Sequence, residues 1–154
     1  LNIDGINFLG RTYDVGIVGN GKSNLDPLVE AVAKWQERNV VPEVTPDRGY
    51  YYRSDQFSLA QVGVPGVYLD QGVHFVGRPD GWGKQQWDEW TKKTYHQPSD
   101  EYDDSWNLAG AIEDAQLLMH VGLIVADQPE FPAWLPGDEF EAARKIAISK
   151  RDSE

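Results

Sequence analysis

Apolar and polar positions change period along this chain, and the changes predict alternating strands and helices. Tyr13, Val15 and Ile17 alternate with smaller or polar residues, which predicts a strand ending at Gly19. Ser23 or Asn24 stands where a helix cap belongs, with Pro27 in the first turn. Leu28, Ala31, Val32 and Trp35 then recur at i, i+3, i+4 and i+7, one apolar face of a helix closed by Asn39. Residues 64–69 form a second short apolar run, bounded by Gly63 and by Gln71-Gly72. Residues 105–127 predict a long helix with Leu108, Ala111, Ile112, Ala115, Met119 and Gly122 on one stripe. Leu118, Val121 and Val125 widen that stripe, so the helix is expected to be well buried. Pro129, Pro132 and Pro136 stiffen a linker to a last amphipathic helix, residues 138–150, with Phe140, Ala143 and Ala147 inward. No internal repeat is present. The alternation points to an α/β architecture, with residues 1–128 as the main unit and 129–154 as linker and packed-on helix.

Charge and composition narrow the function classes. The 154 residues suffice for one globular unit with a real core. Fourteen Lys and Arg against twenty-five Asp and Glu give a net charge of −11, which argues against nucleic acid and against an anionic membrane surface as partners. No apolar run reads as long enough to cross a membrane. Cysteine is absent, so any metal must be held by His and carboxylate.

That ligand chemistry is concentrated in Tyr95-His96-Gln97-Pro98-Ser99-Asp100-Glu101-Tyr102-Asp103. Pro98 blocks a regular helix through its fixed φ and missing N–H. Asp100 is placed to hold a backbone N–H or orient the His96 imidazole, and Asp103 to cap the segment after it. The opening Leu1-Asn2-Ile3-Asp4-Gly5 reads as the tip of a buried strand, where open α/β sheets place ligands. With Arg53-Ser54-Asp55-Gln56-Phe57 between them, these stretches resemble the two-zinc aminopeptidase family of metallopeptidases, the relatives of aminopeptidase S, aminopeptidase Y and glutamate carboxypeptidase. The resemblance rests on the order and spacing of the three segments, and it runs from Leu1 to about Asp127.

The resemblance implies a zinc-dependent exopeptidase acting on peptides, built as part of a three-layer domain with a central mixed, mostly parallel sheet flanked by helices. It implies Asp4 as a ligand of one zinc, His96 as a ligand of the other, and Tyr95 as a hydroxyl that holds the developing oxyanion. Asp55 and Asp100 would orient ligands or water, and Arg53 and Trp82 would contact substrate. Gln56 stands where many relatives have His, which removes a proton carrier but keeps hydrogen-bonding capacity. The family's upstream His-x-Asp and Glu-Glu elements have no counterpart here. The expectation is therefore a C-terminal portion of a catalytic domain, inactive alone, whose partner is the N-terminal part of the same domain. Nothing in these residues reads as a targeting segment. The resemblance implies a periplasmic or secreted setting.

Three further features compete for a role. Residues 16–23 spell the phosphate-loop pattern between a predicted strand and helix. Ile17 and Val18 complete the strand alternation and Pro27 falls in the helix that should face the phosphate, so a capped turn is the expected structure. Residues 71–94 read as one long loop that collects Trp82, Trp87 and Trp90, either as an apolar substrate pocket or as a satellite core. A non-catalytic, aromatic-rich binding module is the alternative to the enzyme. His74 and His120 lack partners at ligand spacing and are expected to be packing or surface residues.

Overall fold

The computed structural model describes residues 1–43 and 45–151. Three strands form one sheet: β1 (Asp14–Ile17), β2 (Asn39–Val41) and β3 (Leu69–Gln71), in the order β2-β1-β3. Helices flank it: α1 (Asp26–Trp35), α2 (Gln56–Gln61), α3 (Trp82–Lys93), α4 (Ala109–Asp127) and α5 (Glu141–Arg151). The fold is α/β, as expected. β1 runs parallel to β2, the two joined through α1, and antiparallel to β3. One pairing of each kind makes the sheet mixed but not mostly parallel.

β1 lies between two partners, and all four of its residues are buried. The alternation read from Tyr13, Val15 and Ile17 is therefore misleading: Tyr13 is exposed, outside the strand, and Asp14 and Gly16 face protein as fully as Val15 and Ile17. A strand covered on both faces has no polar side to alternate with. β3 begins where the apolar run 64–69 ends, because Val64 to Val67 carries the chain in from α2 without ladder pairing.

The main core joins Val15 and Ile17 of β1 to Val29 and Val32 of α1 and to Leu117, Leu118 and Val121 of α4. Each such side chain contributes about 1.5–3 kcal/mol through burial. A second core gathers Val18, Tyr51, Ala60, Trp134 and Phe140. It brings the Pro-rich linker onto the main body, with Trp134 Nε1–H donating to Gly63 O at 3.1 Å.

Three faces differ from expectation. On α1 the buried positions are Asp26, Val29, Val32 and Ala33, and Trp35 is 68% exposed. Residues 25–35 carry two overlapping stripes of helical period, and period alone cannot choose between them. The chain leaves α1 through Glu37 at φ 58, with Arg38 N–H bonded to Ala33 O and Glu37 N–H to Lys34 O, so the end is a Schellman motif ahead of Asn39. On α4 the buried stripe is Gly110, Leu117, Leu118 and Val121, while Ile112, Met119 and Leu123 are exposed. That helix is apolar nearly all round, and its Asp114 pairs with the buried Arg38 at 2.7 Å. By length and composition alone α4 is long and apolar enough to cross a bilayer, contrary to the expectation from sequence. Here its inward stripe belongs to the main core. α5 buries no residue. Phe140, one position before it, is the anchor, and Ala147 is exposed.

Candidate active site

The turn between β1 and α1 is closed by the chain itself. Asp26 accepts from the Gly21 N–H at 2.7 Å and also from the Lys22 and Ser23 amides, the donors a phosphate would need. Burial raises the pKa of this carboxyl, and the amides counteract that rise. Gly19, at φ +75, lies against Tyr51, where an added Cβ would sit 2.4 Å from the ring. Lys22 reaches Glu139 at 2.7 Å and Asp138 at 3.3 Å, over the rings of Tyr51 and Phe140. Burial disfavours its charge, but those two carboxylates outweigh it and raise its pKa. The phosphate-loop pattern is thus a tertiary clasp. Ser23 serves as an internal acceptor for Leu25 N–H and does not cap α1.

The metal-type residues lie elsewhere, on a shared cavity. Asp4, Tyr95 and His96 all line one cavity of about 220 Å³, along with Tyr68, Asp70 and Trp90. Asp4 follows Asn2, which is bridged to Tyr68 beside the sheet. Ser54 Oγ–H donates to Asp4 Oδ2 at 2.6 Å and so fixes that carboxylate. Tyr68 bonds with Ser54 and Asp4, and burial first, then neighbouring carboxylates, push its hydroxyl up to about 12. It remains a neutral donor beside Asp4. The Asn2 side chain is held by Gln56 Oε1 at 2.9 Å, and Gln56 in turn donates to Tyr51 O. The opening run is not the tip of a buried strand, since only Asn2 is bridged and Leu1 and Ile3 are exposed, and the Gln in place of His buttresses this extended end through hydrogen bonds.

Aromatic stacking positions the other end of the site. Trp106 stacks on Phe8 at 4.9 Å, Phe8 meets Trp90 at 5.6 Å, Trp90 meets Tyr95 at 5.1 Å, and Tyr95 stacks on His96 at 3.8 Å. Trp87 stacks on Trp90 at 4.7 Å. The residues 71–94 thus do both expected things: Trp87 and Trp90 line the cavity, while Trp82 packs on Phe75 and Arg78 away from it. His96 itself is held at φ 58, in the left-handed region, a conformation non-glycine residues adopt at a cost and often at functional sites.

Other expected residues stand apart. Asp55 is exposed at the start of α2, makes no capping bond, and does not line the cavity. Arg53 is exposed near the Tyr50 ring, and Arg48 lines the cavity instead. Asp100 is exposed, with its backbone N–H turned to Gln97 O, and Asp103 accepts from Ser105 N–H at 2.7 Å as a local turn. Sequence reasoning missed Ser54 as the partner of Asp4. Its place beside Asp55 in the Arg-Ser-Asp segment was the available signal. His120 bonds to Gln116 O on the surface, as expected. His74 does have a partner: its Nδ1 lies 2.7 Å from the buried Asp14, which also accepts the Val73 and His74 amides. That bond and the charge of Asp14 raise the pKa of His74.

Asp4 and His96 have the donor chemistry of a zinc site. Among the described residues, however, no three His, Asp or Glu side chains gather closely enough to hold an ion. The pair fits zinc in chemistry but falls short in number.

No curated protein and no solved structure gives a significant match to the chain. The profile of peptidase family M28 matches residues 1–119, a span that contains the whole Asp4–Ser54–Tyr95–His96 arrangement. The chain therefore belongs to peptidase family M28, the family of co-catalytic zinc aminopeptidases and glutamate carboxypeptidase-like enzymes.

Proposed function

We propose that this chain is the C-terminal portion of a zinc-dependent, aminopeptidase-type exopeptidase that hydrolyses peptide bonds with an activated water. The observation that carries this reading is the meeting of Asp4, Tyr95 and His96 on one cavity in a chain of this family. Asp4 would hold one metal and His96 the other, and the remaining ligands and the general base would come from an upstream segment of the same domain. Bound zinc supplies polarisation of the scissile carbonyl and a lowered pKa for water.

The chain's own residues then have separable tasks. Ser54 fixes the Asp4 carboxylate so that its lone pairs are not free to rotate. Tyr95 fixes the His96 ring by stacking and offers a phenol O–H to the oxyanion of the tetrahedral intermediate. Trp87 and Trp90 supply an apolar wall that excludes water from one side of the cavity.

The test uses the full-length gene product and the 154-residue chain side by side. The zinc-loaded full-length protein should release p-nitroaniline from aminoacyl p-nitroanilides and lose that activity with a chelator. Tyr95→Phe should lower kcat by about 10²-fold or more with little change in KM, as expected for an oxyanion donor. The isolated chain should be inactive and bind zinc weakly. Tight stoichiometric zinc binding by the isolated chain, or a full-length protein with no peptidase activity, would overturn the reading.

A further inference from the structure

Asp70 is a half-buried residue of the cavity lining that accepts from the Gln71 amide and has, among the described residues, no cationic partner. It stands on β3 opposite Gly16, where an added Cβ would come 3.1 Å from the Asp70 Cβ. The glycine makes room for the Asp70 side chain at its Cβ. Among the described residues no Lys or Arg pairs with Asp70; its neighbours include Glu43 and Asp114, and Asp114 is already matched by Arg38. A carboxylate half withdrawn from water without a cation is disfavoured, and such groups mark functional sites.

Further acceptors stand on the same lining. Gln71 Oε1 and Thr91 Oγ1 both belong to cavity-lining residues, are buried, and have no hydrogen-bond partner. The two cations of the lining, Arg48 and Lys84, are exposed and engaged by the Tyr50 hydroxyl and by Asp88. Trp87, Trp90, Tyr50 and Tyr68 add aromatic surface. The missing complement is a guest with an apolar stem and a cationic head that donates hydrogen bonds and accepts none. An ammonium or a guanidinium has that character, and aromatic walls favour it further.

We infer that this cavity receives the side chain of the substrate's N-terminal residue and selects lysine or arginine through Asp70. The inference rests on the aminopeptidase reading and adds the substrate class to it.

Lysine and norleucine side chains differ in the terminal ammonium against a methyl, which isolates the charge. With the zinc-loaded full-length protein, kcat/KM for lysyl p-nitroanilide should exceed that for norleucyl p-nitroanilide by about tenfold or more, the usual scale for a desolvated charge pair. Asp70→Asn should lower that ratio by at least a similar factor. Calorimetry with free L-lysine and L-norleucine gives a second readout that needs no turnover, and lysine should bind more tightly. Norleucyl turnover equal to or faster than lysyl, or an Asp70→Asn ratio unchanged, would overturn the inference while leaving the peptidase standing. Failure to hydrolyse either substrate or the leucyl and alanyl analogues would overturn the peptidase reading, and the inference with it.

Discussion

At the scale of single residues, the readable part of the site was the part defined by chemical type. His96, Asp4 and Tyr95 stand out because imidazole, carboxylate and phenol in resembling motifs imply their own uses. Ser54 and Asp70 do not stand out, because their meaning depends on a neighbour fifty residues away or on the strand opposite. Glu37 was equally invisible. A helix end in the left-handed region ordinarily takes glycine, and here a side chain is forced to φ 58. Relief of that conformation should outweigh the extra backbone entropy that glycine brings to the unfolded chain. Glu37→Gly is expected to stabilise the protein by about 0.5–1 kcal/mol, read as a higher urea midpoint with an unchanged slope. A lower midpoint would mean that the Glu37 side chain contributes more than its backbone costs.

At the scale of elements, the strongly periodic helices were legible, whereas α3 formed in a stretch read as a loop and β2 was not foreseen. The helix periods correctly placed α1, α4 and α5, yet α1 and part of α4 turn a different face inward from the one the apolar residues suggested, while the α5 segment buries Phe140 as read but leaves Ala147 exposed. Polar tertiary contacts accompany these orientations. Asp114 of α4 pairs with Arg38, Asp26 of α1 accepts from the preceding turn, and the segment before α5 is bonded by Lys22. Periodicity counts apolar residues, whereas these contacts are long-range and carried by charges. Lys22 is the clearest case, since it fits the phosphate-loop pattern while joining the β1–α1 turn to Asp138 and Glu139 more than a hundred residues later. Lys22→Met should therefore cost about 1–3 kcal/mol, between the exposed and buried limits for an ion pair, and should increase proteolysis near the last helix. Nucleotide binding should be absent in both proteins. A measurable ATP affinity that Lys22→Met abolishes would show the clasp to be wrong.

For the molecule as a whole, the balance of charge gives a stability profile that runs against the acid sensitivity usual in folded proteins. Net charge is −11 at pH 7, and burial raises the pKa of Asp26, Glu43, Asp70 and Asp114, with Asp70 raised to about 6. A carboxyl raised in the folded state holds a proton that the unfolded chain has already lost, so stability falls as pH rises through the interval between the two values. For Asp70 that interval is 3.8 to about 6. His74 acts in the same direction. Its pKa is raised by Asp14, so its contribution is complete below the unfolded value and is lost as pH rises through the folded one. The carboxyls lowered by their partners, among them Glu89, Glu139 and Glu141, act in the opposite sense, but only as pH falls below the ordinary carboxylate range. Between about pH 5.5 and pH 8.5 the resolved shifts therefore agree in sign, and self-repulsion of the net charge adds to them. The protein should melt a few degrees higher at about pH 5.5 than at about pH 8.5, a difference on the order of 1 kcal/mol from Asp70 alone. High salt should narrow the gap by screening the repulsion. Asp70→Asn should be more stable than the native protein at about pH 8.5, by up to about 3 kcal/mol, with the advantage shrinking toward about pH 4. Thermal scans of the two proteins across that range decide it. If Asp70→Asn melts lower than the native protein at the alkaline end, the carboxylate is stabilised by the fold and its place in the cavity needs no ligand to explain it.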